Sequence, residues 1–216
     1  QQFVVIKPKD RKMSSVRFGE KLITPSKLLC IGRNYVAHIN ELNNTLPEQM
    51  VVFNKPNSCI TSTLSSFHQE RLHYEVEICF LIEEEQLSAV AIGFDLTKRD
   101  LQSELKSKGL PWERAKAFDG SAVFSRFIPL DDIDINQLQI ELFINSMRVQ
   151  CGQVSQMIYS PETILTDLKS YTQLYDGDVI MTGTPQGVGE IHMGDIFLSR
   201  LKLDGKTLIE AEWVAR

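Results

Sequence analysis

Residues 73–82 read HYEVEICFLI, and Glu75 and Glu77 stand two apart in a run whose other members include Tyr74, Val76, Ile78 and Phe80. Alternation in β-branched and aromatic residues is the pattern of a strand, whose successive side chains point to opposite faces. His73, Glu75, Glu77 and Cys79 therefore share one face. On a wet face, two carboxylates about 7 Å apart cost little, because water and salt screen them. On a dry face they need a cation, and a divalent ion supplies it. The residues alone leave both open.

A third acid, Asp95, ends the apolar run AVAIGFD. It is either the N-cap of the segment that follows or a ligand at a strand end. Three carboxylates without His or Cys beside them would suit Mg²⁺, Mn²⁺ or Ca²⁺, leaving positions for water and substrate. His38 and Glu41 stand three apart in HINE and share a face of a helical turn. There a carboxylate can hold an imidazole ready to take a proton from water, or form a surface pair contributing about 0.2–0.5 kcal/mol. Lys116, between two alanines and near Phe118, either snorkels or is aimed at an anion. TGTPQGVG, residues 182–189, offers backbone N–H groups and Thr hydroxyls that could grip a carboxylate, or is a plain turn; it lacks the spacing of a P-loop.

The elements that must position these groups read as one domain's worth. The 216 residues are 43% hydrophobic, enough to fill a sizeable core. A net charge of −5 with both signs interspersed offers no basic patch for nucleic acid. Cys30, Cys59, Cys79 and Cys151 are widely spaced with no C-x-x-C pair, so the expectation is buried free thiols in a reducing, cytoplasmic setting. Apolar runs such as AVAIGF are far short of the ~20 residues that span a bilayer, and no secretory leader is visible, so no membrane partner is expected.

Along the chain, residues 1–24 read as lead strands (FVVIKP, then MSSVRFGEKL), with the remaining domain from 25 to 216. KLLCIGRNY is a strand entering a turn, and NYVAHINELNN a short helix or helical loop. KRDLQSELKSKGL is an amphipathic helix stopped by Gly109. QLQIELFINSMRVQCG is a hairpin turning at NSMR, and SPETILTDLKSYTQL a helix capped by Ser160 before the strand GDVIMTGTP. The sum is a strand-dominated α+β fold with two or three helices.

Taken in order, IGRNYVAH, Lys55-Pro56, HYEVE, GFDLTKRDLQ, GLPWERAKAFDG and VIMTGTPQGVG resemble the fumarylacetoacetate hydrolase family, in its short acylpyruvase and oxaloacetate decarboxylase branch. The resemblance implies a mixed β-roll as the catalytic domain, and a homodimer. It implies Glu75, Glu77 and Asp95 as ligands of Mg²⁺, or of Mn²⁺. His38 and Glu41 would activate water on a lid segment, with Lys116 as a further catalytic group. Arg33, Arg99, Gln102 and Thr184 would contact a small 2-oxo acid. The activity implied is hydrolysis of the C–C bond of acylpyruvate-type 2,4-dioxo acids, with decarboxylation of oxaloacetate served by the same enolate chemistry. The alternative is an isomerase, decarboxylase or hydratase of catechol-degradation oxo acids. Phe94, Lys98 and Phe124 depart from the family's usual wording, and Phe124 is expected to reshape the substrate pocket.

Overall fold

The structure is a computed structural model that describes residues 12–41 and 49–216, with the side chains of 38–40 excepted. Its longer strands are β1 (Lys27–Gly32), β2 (Val51–Pro56), β3 (Val76–Glu83), β4 (Gln86–Asp95), β5 (Ala122–Phe124), β6 (Leu138–Ile144), β7 (Met147–Gln153), β8 (Val179–Met181), β9 (Ile196–Leu203) and β10 (Lys206–Val214). The α-helices are α1 (Val36–Glu41), α2 (Arg99–Ser107), α3 (Glu113–Lys116) and α4 (Pro161–Tyr171); α3 was not expected, because four residues are too few to show an apolar period.

The larger sheet runs β2–β1–β8–β3–β4–β5 and ends on the short strand Ile60–Thr61, with Ile128–Pro129 also pairing with β4. It is mixed: β1 and β8 are parallel, as are β5 and Ile60–Thr61, while the other pairs are antiparallel. The second sheet, β7–β6–β9–β10, is antiparallel throughout. The β6–β7 hairpin turns at Asn145 and Ser146, both at positive φ (49° and 71°), as a type I′ turn requires.

The two sheets pack face to face. Val76, Ile78 and Phe80 of β3 and Val90, Ile92 and Phe94 of β4 share one core with Leu138, Ile140, Leu142, Phe197 and Leu201 of the second sheet. Phe94 stands edge-on to Phe197 (centroids 5.8 Å apart) and Trp213 (5.1 Å), a geometry contributing about 0.5–1.5 kcal/mol per pair beyond burial. The alternate residues of β3, Cys79 and Leu81, enter a second core with Leu28, Cys30, Val179 and Met181. On the outer side Ile164, Leu165 and Leu168 of α4 cover Leu29, Ile31 and Ile180.

β3 therefore has no wet face. Its alternation separates two cores, and the solvent reading of the glutamates fails: Glu75 and Glu77 are buried. Cys30, Cys59 and Cys79 are buried thiols as expected, but Cys151 is exposed, because β7 is an edge strand and Cys151 faces outward on it. Within MSSVRFGEKLI the chain forms a hairpin of its own, Val16–Phe18 with Lys21–Ile23, whereas FVVIKP, read as the first lead strand, lies outside the described residues. No helix among the described residues is long and apolar enough to cross a membrane.

Candidate active site

The carboxylates meet because of register. The β3–β4 pairing sets Phe94 opposite Val76 and Gly93 opposite Glu77, and just beyond it Asp95 N–H donates to the Glu75 carbonyl at 2.9 Å. Glu75 sits between the short strand His73–Tyr74 and β3. One carboxylate oxygen from each of Glu75, Glu77 and Asp95 lies within 4.8 Å of the others, and the three residues are only 6%, 2% and 1% exposed. Asp95 is not a helix cap: Lys98 holds the N-cap position of α2.

Cations close on this trio. Lys116, delivered by α3, donates from Nζ to Glu75 Oε2 (2.8 Å), Asp95 Oδ2 (2.6 Å) and Thr97 Oγ1 (2.7 Å). Burial pulls the Lys116 pKa down, but Asp95 and Glu75 more than offset it and the net shift is upward. Lys55, fully buried on β2, stands 2.7 Å from Asp95 Oδ1 and donates to the Lys116 carbonyl and to Ser121 Oγ. Arg99 pairs with Glu75 Oε1 and donates to Gln102 Oε1 at 2.7 Å.

Glu77 is less well supplied. It accepts the Gly183 N–H at 2.9 Å, and burial, then Asp95 and Glu75, push its pKa well above the ordinary carboxylate range. Asp95 Oδ1 accepts no hydrogen bond among the described residues, although Lys55 is near; the ammonium is close but poorly aimed. A buried all-oxygen trio with a carboxyl that resists ionisation and an oxygen left without a donor fits a hard divalent cation.

Glu75 and Asp95 of the trio, with Lys116, open into a recess of about 30 Å³, also lined by Arg33, Arg99, Gln102, Lys106, Trp112 and Thr184. Wider hollows of about 460 and 600 Å³ lie elsewhere and lack the carboxylates. The recess is narrow because Lys116 and Arg99 point into it. Phe124 lines the 460 Å³ hollow rather than this recess, so the expectation that it reshapes the pocket is not met; its ring packs on Phe127 instead. Lys98 is buried, donating to Gln69 and lying over the Phe118 ring.

The TGTPQGVG loop grips carboxylates, but the protein's own. Gly183 N–H holds Glu77, and Gly187 N–H holds both oxygens of Glu41 at 2.9 and 3.1 Å. Gly187 is at φ +99°, and a Cβ there would fall 1.9 Å from the Val149 carbonyl oxygen, so only glycine fits. Thr184 Oγ1 donates to the Val76 carbonyl at 2.8 Å and accepts from Gln150 Nε2 at 2.9 Å, so its hydroxyl faces the recess already engaged. Glu41 thus ties α1 to this loop, while the side chain of His38 lies outside the described residues. Asn34, at the foot of α1, bonds the Tyr159 and Thr182 carbonyls at 3.0 and 2.8 Å and fixes where the helix starts.

Sequence reasoning gave Lys55 and Trp112 no role beyond their place in the family motifs, and assigned none to Lys106. Lys106 was readable: Arg99, Gln102 and Lys106 stand at i, i+3 and i+7, one face of α2. Apart from the Lys55-Pro56 motif, nothing local marked Lys55, since a lysine in a strand is ordinarily exposed.

A model of the fumarylacetoacetate (FAA) hydrolase family, C-terminal, matches residues 27–211. Oxaloacetate tautomerase YcgM of Escherichia coli (strain K12) is 36% identical over 189 residues, 79% of this chain and 85% of its own. The mitochondrial oxaloacetate tautomerase FAHD1 of Homo sapiens is 34% identical over 184 residues, 78% of this chain and 83% of its own. Among solved structures, one from Oleispira antarctica superposes with a TM-score of 0.89 at 32% identity, covering 94% of this chain and all of that one. A fumarylpyruvate hydrolase from Pseudomonas aeruginosa in complex with Mn²⁺ and pyruvate gives 0.84 at 28%, covering 94% and 95%. With the buried carboxylate trio in a curled mixed sheet and a family match over most of its length, the chain belongs to the fumarylacetoacetate hydrolase family.

Proposed function

We propose that this chain is a metal-dependent enzyme that enolises small 2-oxo acids, and that keto–enol interconversion of oxaloacetate is the reaction it fits best. The observation that carries this is the trio Glu75, Glu77 and Asp95 with Lys116, Lys55 and Arg99 paired to it, Glu75 and Asp95 lining a basic recess. Such a floor suits a substrate that gathers negative charge as it reacts. The oxaloacetate tautomerase names of relatives that match about four-fifths of the chain support the choice of reaction.

Glu75, Glu77 and Asp95 would hold Mg²⁺ or Mn²⁺, which supplies a Lewis acid that polarises a carbonyl and offsets charge on its oxygen. Gln102 and Thr184, which line the recess, would orient what enters. Enolisation removes a proton from the carbon between the carbonyls and delivers one to the keto oxygen. Lys116, kept protonated by its carboxylate neighbours, holds the second proton. His38, on the same segment as Glu41, which is fastened through Gly187, is assigned the first.

A second reading, hydrolysis of acylpyruvates, uses the same enolate with His38 activating water; the fumarylpyruvate hydrolase neighbour supports it. Ultraviolet absorbance of freshly dissolved oxaloacetate distinguishes the two when run beside acetylpyruvate, each with Mg²⁺ and with EDTA. Metal-dependent acceleration of the enol–keto change without loss of acetylpyruvate establishes the tautomerase, and cleavage of acetylpyruvate alone replaces it with the hydrolase.

A further inference from the structure

We propose that Arg33, Lys106 and the Trp112 ring between them form the subsite for a second, remote carboxylate, so that the site selects 2-oxo dicarboxylates over 2-oxo acids with an uncharged far end. This rests on the metal-dependent 2-oxo acid reading above and adds to it which residues read the far end of the substrate. The recess is lined both by Glu75, Asp95 and Lys116 and by a second group, Arg33 and Lys106 held over the Trp112 ring.

The second group is a cation cluster without its anion. Lys106 Nζ lies 4.8 Å and Arg33 Cζ 5.6 Å from the centroid of the same indole. Among the described residues neither makes an ion pair with a carboxylate, in contrast to Lys55, Lys116 and Arg99 next to them. Arg33 Nε is buried without a hydrogen-bond partner, a donor left for a ligand to fill. Burial, followed by Arg33, Arg99 and Lys116, pushes the Lys106 pKa down to about 8, as crowding among like charges demands. A shared aromatic face stabilises each cation but does nothing for their mutual repulsion, whereas a carboxylate set between them relieves it.

The cluster is also built rather than incidental. Arg33 holds a left-handed backbone (φ +58°), a conformation that non-glycine residues avoid and that persists where surrounding structure imposes it. Gly32 just before it makes room for the wall: a Cβ there would come within 3.2 Å of the Trp112 ring and 3.4 Å of Val51 Cγ1. Phe53 supports the indole from the side, with centroids 6.0 Å apart. The ring is thereby fixed against β1 and β2, and the two cations are held over it.

The test is calorimetric binding to the Mg²⁺-loaded protein of two probes: pyruvate, which has only the near end, and 3,3-difluorooxaloacetate, a 2-oxo dicarboxylate that cannot enolise. Lys106→Met is expected to weaken the dicarboxylate about tenfold while pyruvate and Mg²⁺ affinities stay within about twofold, and Lys106→Arg to restore most of the loss. Trp112→Leu should act in the same direction as Lys106→Met. Equal weakening of both probes, or none, overturns the subsite. Failure of the wild-type protein to bind pyruvate in a metal-dependent way overturns the enzymatic reading beneath it, and the subsite with it.

Discussion

Two buried carboxylates lie at opposite ends of the same strand and live in opposite conditions. Asp178, just before β8, accepts from Ser26 Oγ (2.5 Å), Lys27 Nζ (2.5 Å), Tyr175 N–H (3.0 Å) and Lys27 N–H (3.2 Å). Burial pushes its pKa up, but those donors more than offset it and hold the carboxyl below its usual value. Glu77 faces the far end of β8, where Gly183 supplies one N–H, and its pKa goes the other way. A carboxylate saturated with donors is a finished structural link, here between the parallel strands β1 and β8. One left short of donors, beside two more acids, is a place where a cation or a proton must come and go.

Charge-neutral substitutions should break this contrast most visibly. Asp95→Asn or Glu77→Gln is expected to lower turnover by about 10³-fold or more, as removal of central electrostatic groups does. In a thermal melt of the metal-free protein, Glu77→Gln should be no less stable than wild type, since it removes a buried acid that resists ionisation. Unfolding of Glu77→Gln, or full activity in it, would erase the distinction between the two carboxylates.

The converse variant is Asp178→Ala. It should cost about 3 kcal/mol of stability in a denaturant titration, because it leaves Lys27 and several donors unpaired, while kcat at a temperature where it stays folded is unchanged. Because the folded pKa is depressed, the link is present above the unfolded value of about 3.9 and is lost as pH falls through the folded one. The stability gap between wild type and Asp178→Ala should therefore hold from neutrality down to about pH 4 and close below it. A gap that closed near pH 6 would point to a different group.

Metal binding gives a smaller, graded effect. Mn²⁺ at about 100 times its Kd should stabilise the wild-type protein by about 2.7 kcal/mol, and Asp95→Asn far less. Asp178→Ala should keep the full increment, since its site lies at the other end of the strand. Equal stabilisation of wild type and Asp95→Asn would move the ion elsewhere.

How much of this was legible before folding differs between the two regions as well. The glutamate pair and the faces of α2 and α4 were readable because period-2 and 3.6-residue patterns are local; Asp95 and Lys116 stood out by their apolar flanks, and the ligand and catalytic roles came only with the family resemblance. What turned the glutamates from a solvated face into a buried trio was a second core behind β3, made by β1 and β8 from far away in the sequence on either side. No local pattern states that. Asp178 was not singled out, because its partners Ser26 and Lys27 are 152 and 151 residues distant in sequence. The loop TGTPQGVG was legible as a carboxylate grip but not as to whose carboxylate, since Glu41 and Glu77 reach it only in three dimensions.

The smallest effect concerns the Arg33 and Lys106 group of the recess, where the same contrast recurs among cations. Lys27 is saturated by Asp178 and Gln173, whereas Lys106 has no carboxylate among the described residues and sits near pKa 8. Arg33 from the β1 end, Arg99 on its own helix and Lys116 from α3 face it with positive charge, and Glu75 with negative. A lysine with a depressed pKa is charged below that value and neutral above it. Affinity for a 2-oxo dicarboxylate should therefore fall roughly threefold to tenfold as pH rises from about 7 to 9, while pyruvate affinity changes little. Titration of Glu77 is common to wild type and Lys106→Met and cancels in their comparison, so the variant should show a flat profile at weaker affinity. If the variant keeps the slope, the proton belongs to the carboxylate trio and Lys106 does not read the remote carboxylate.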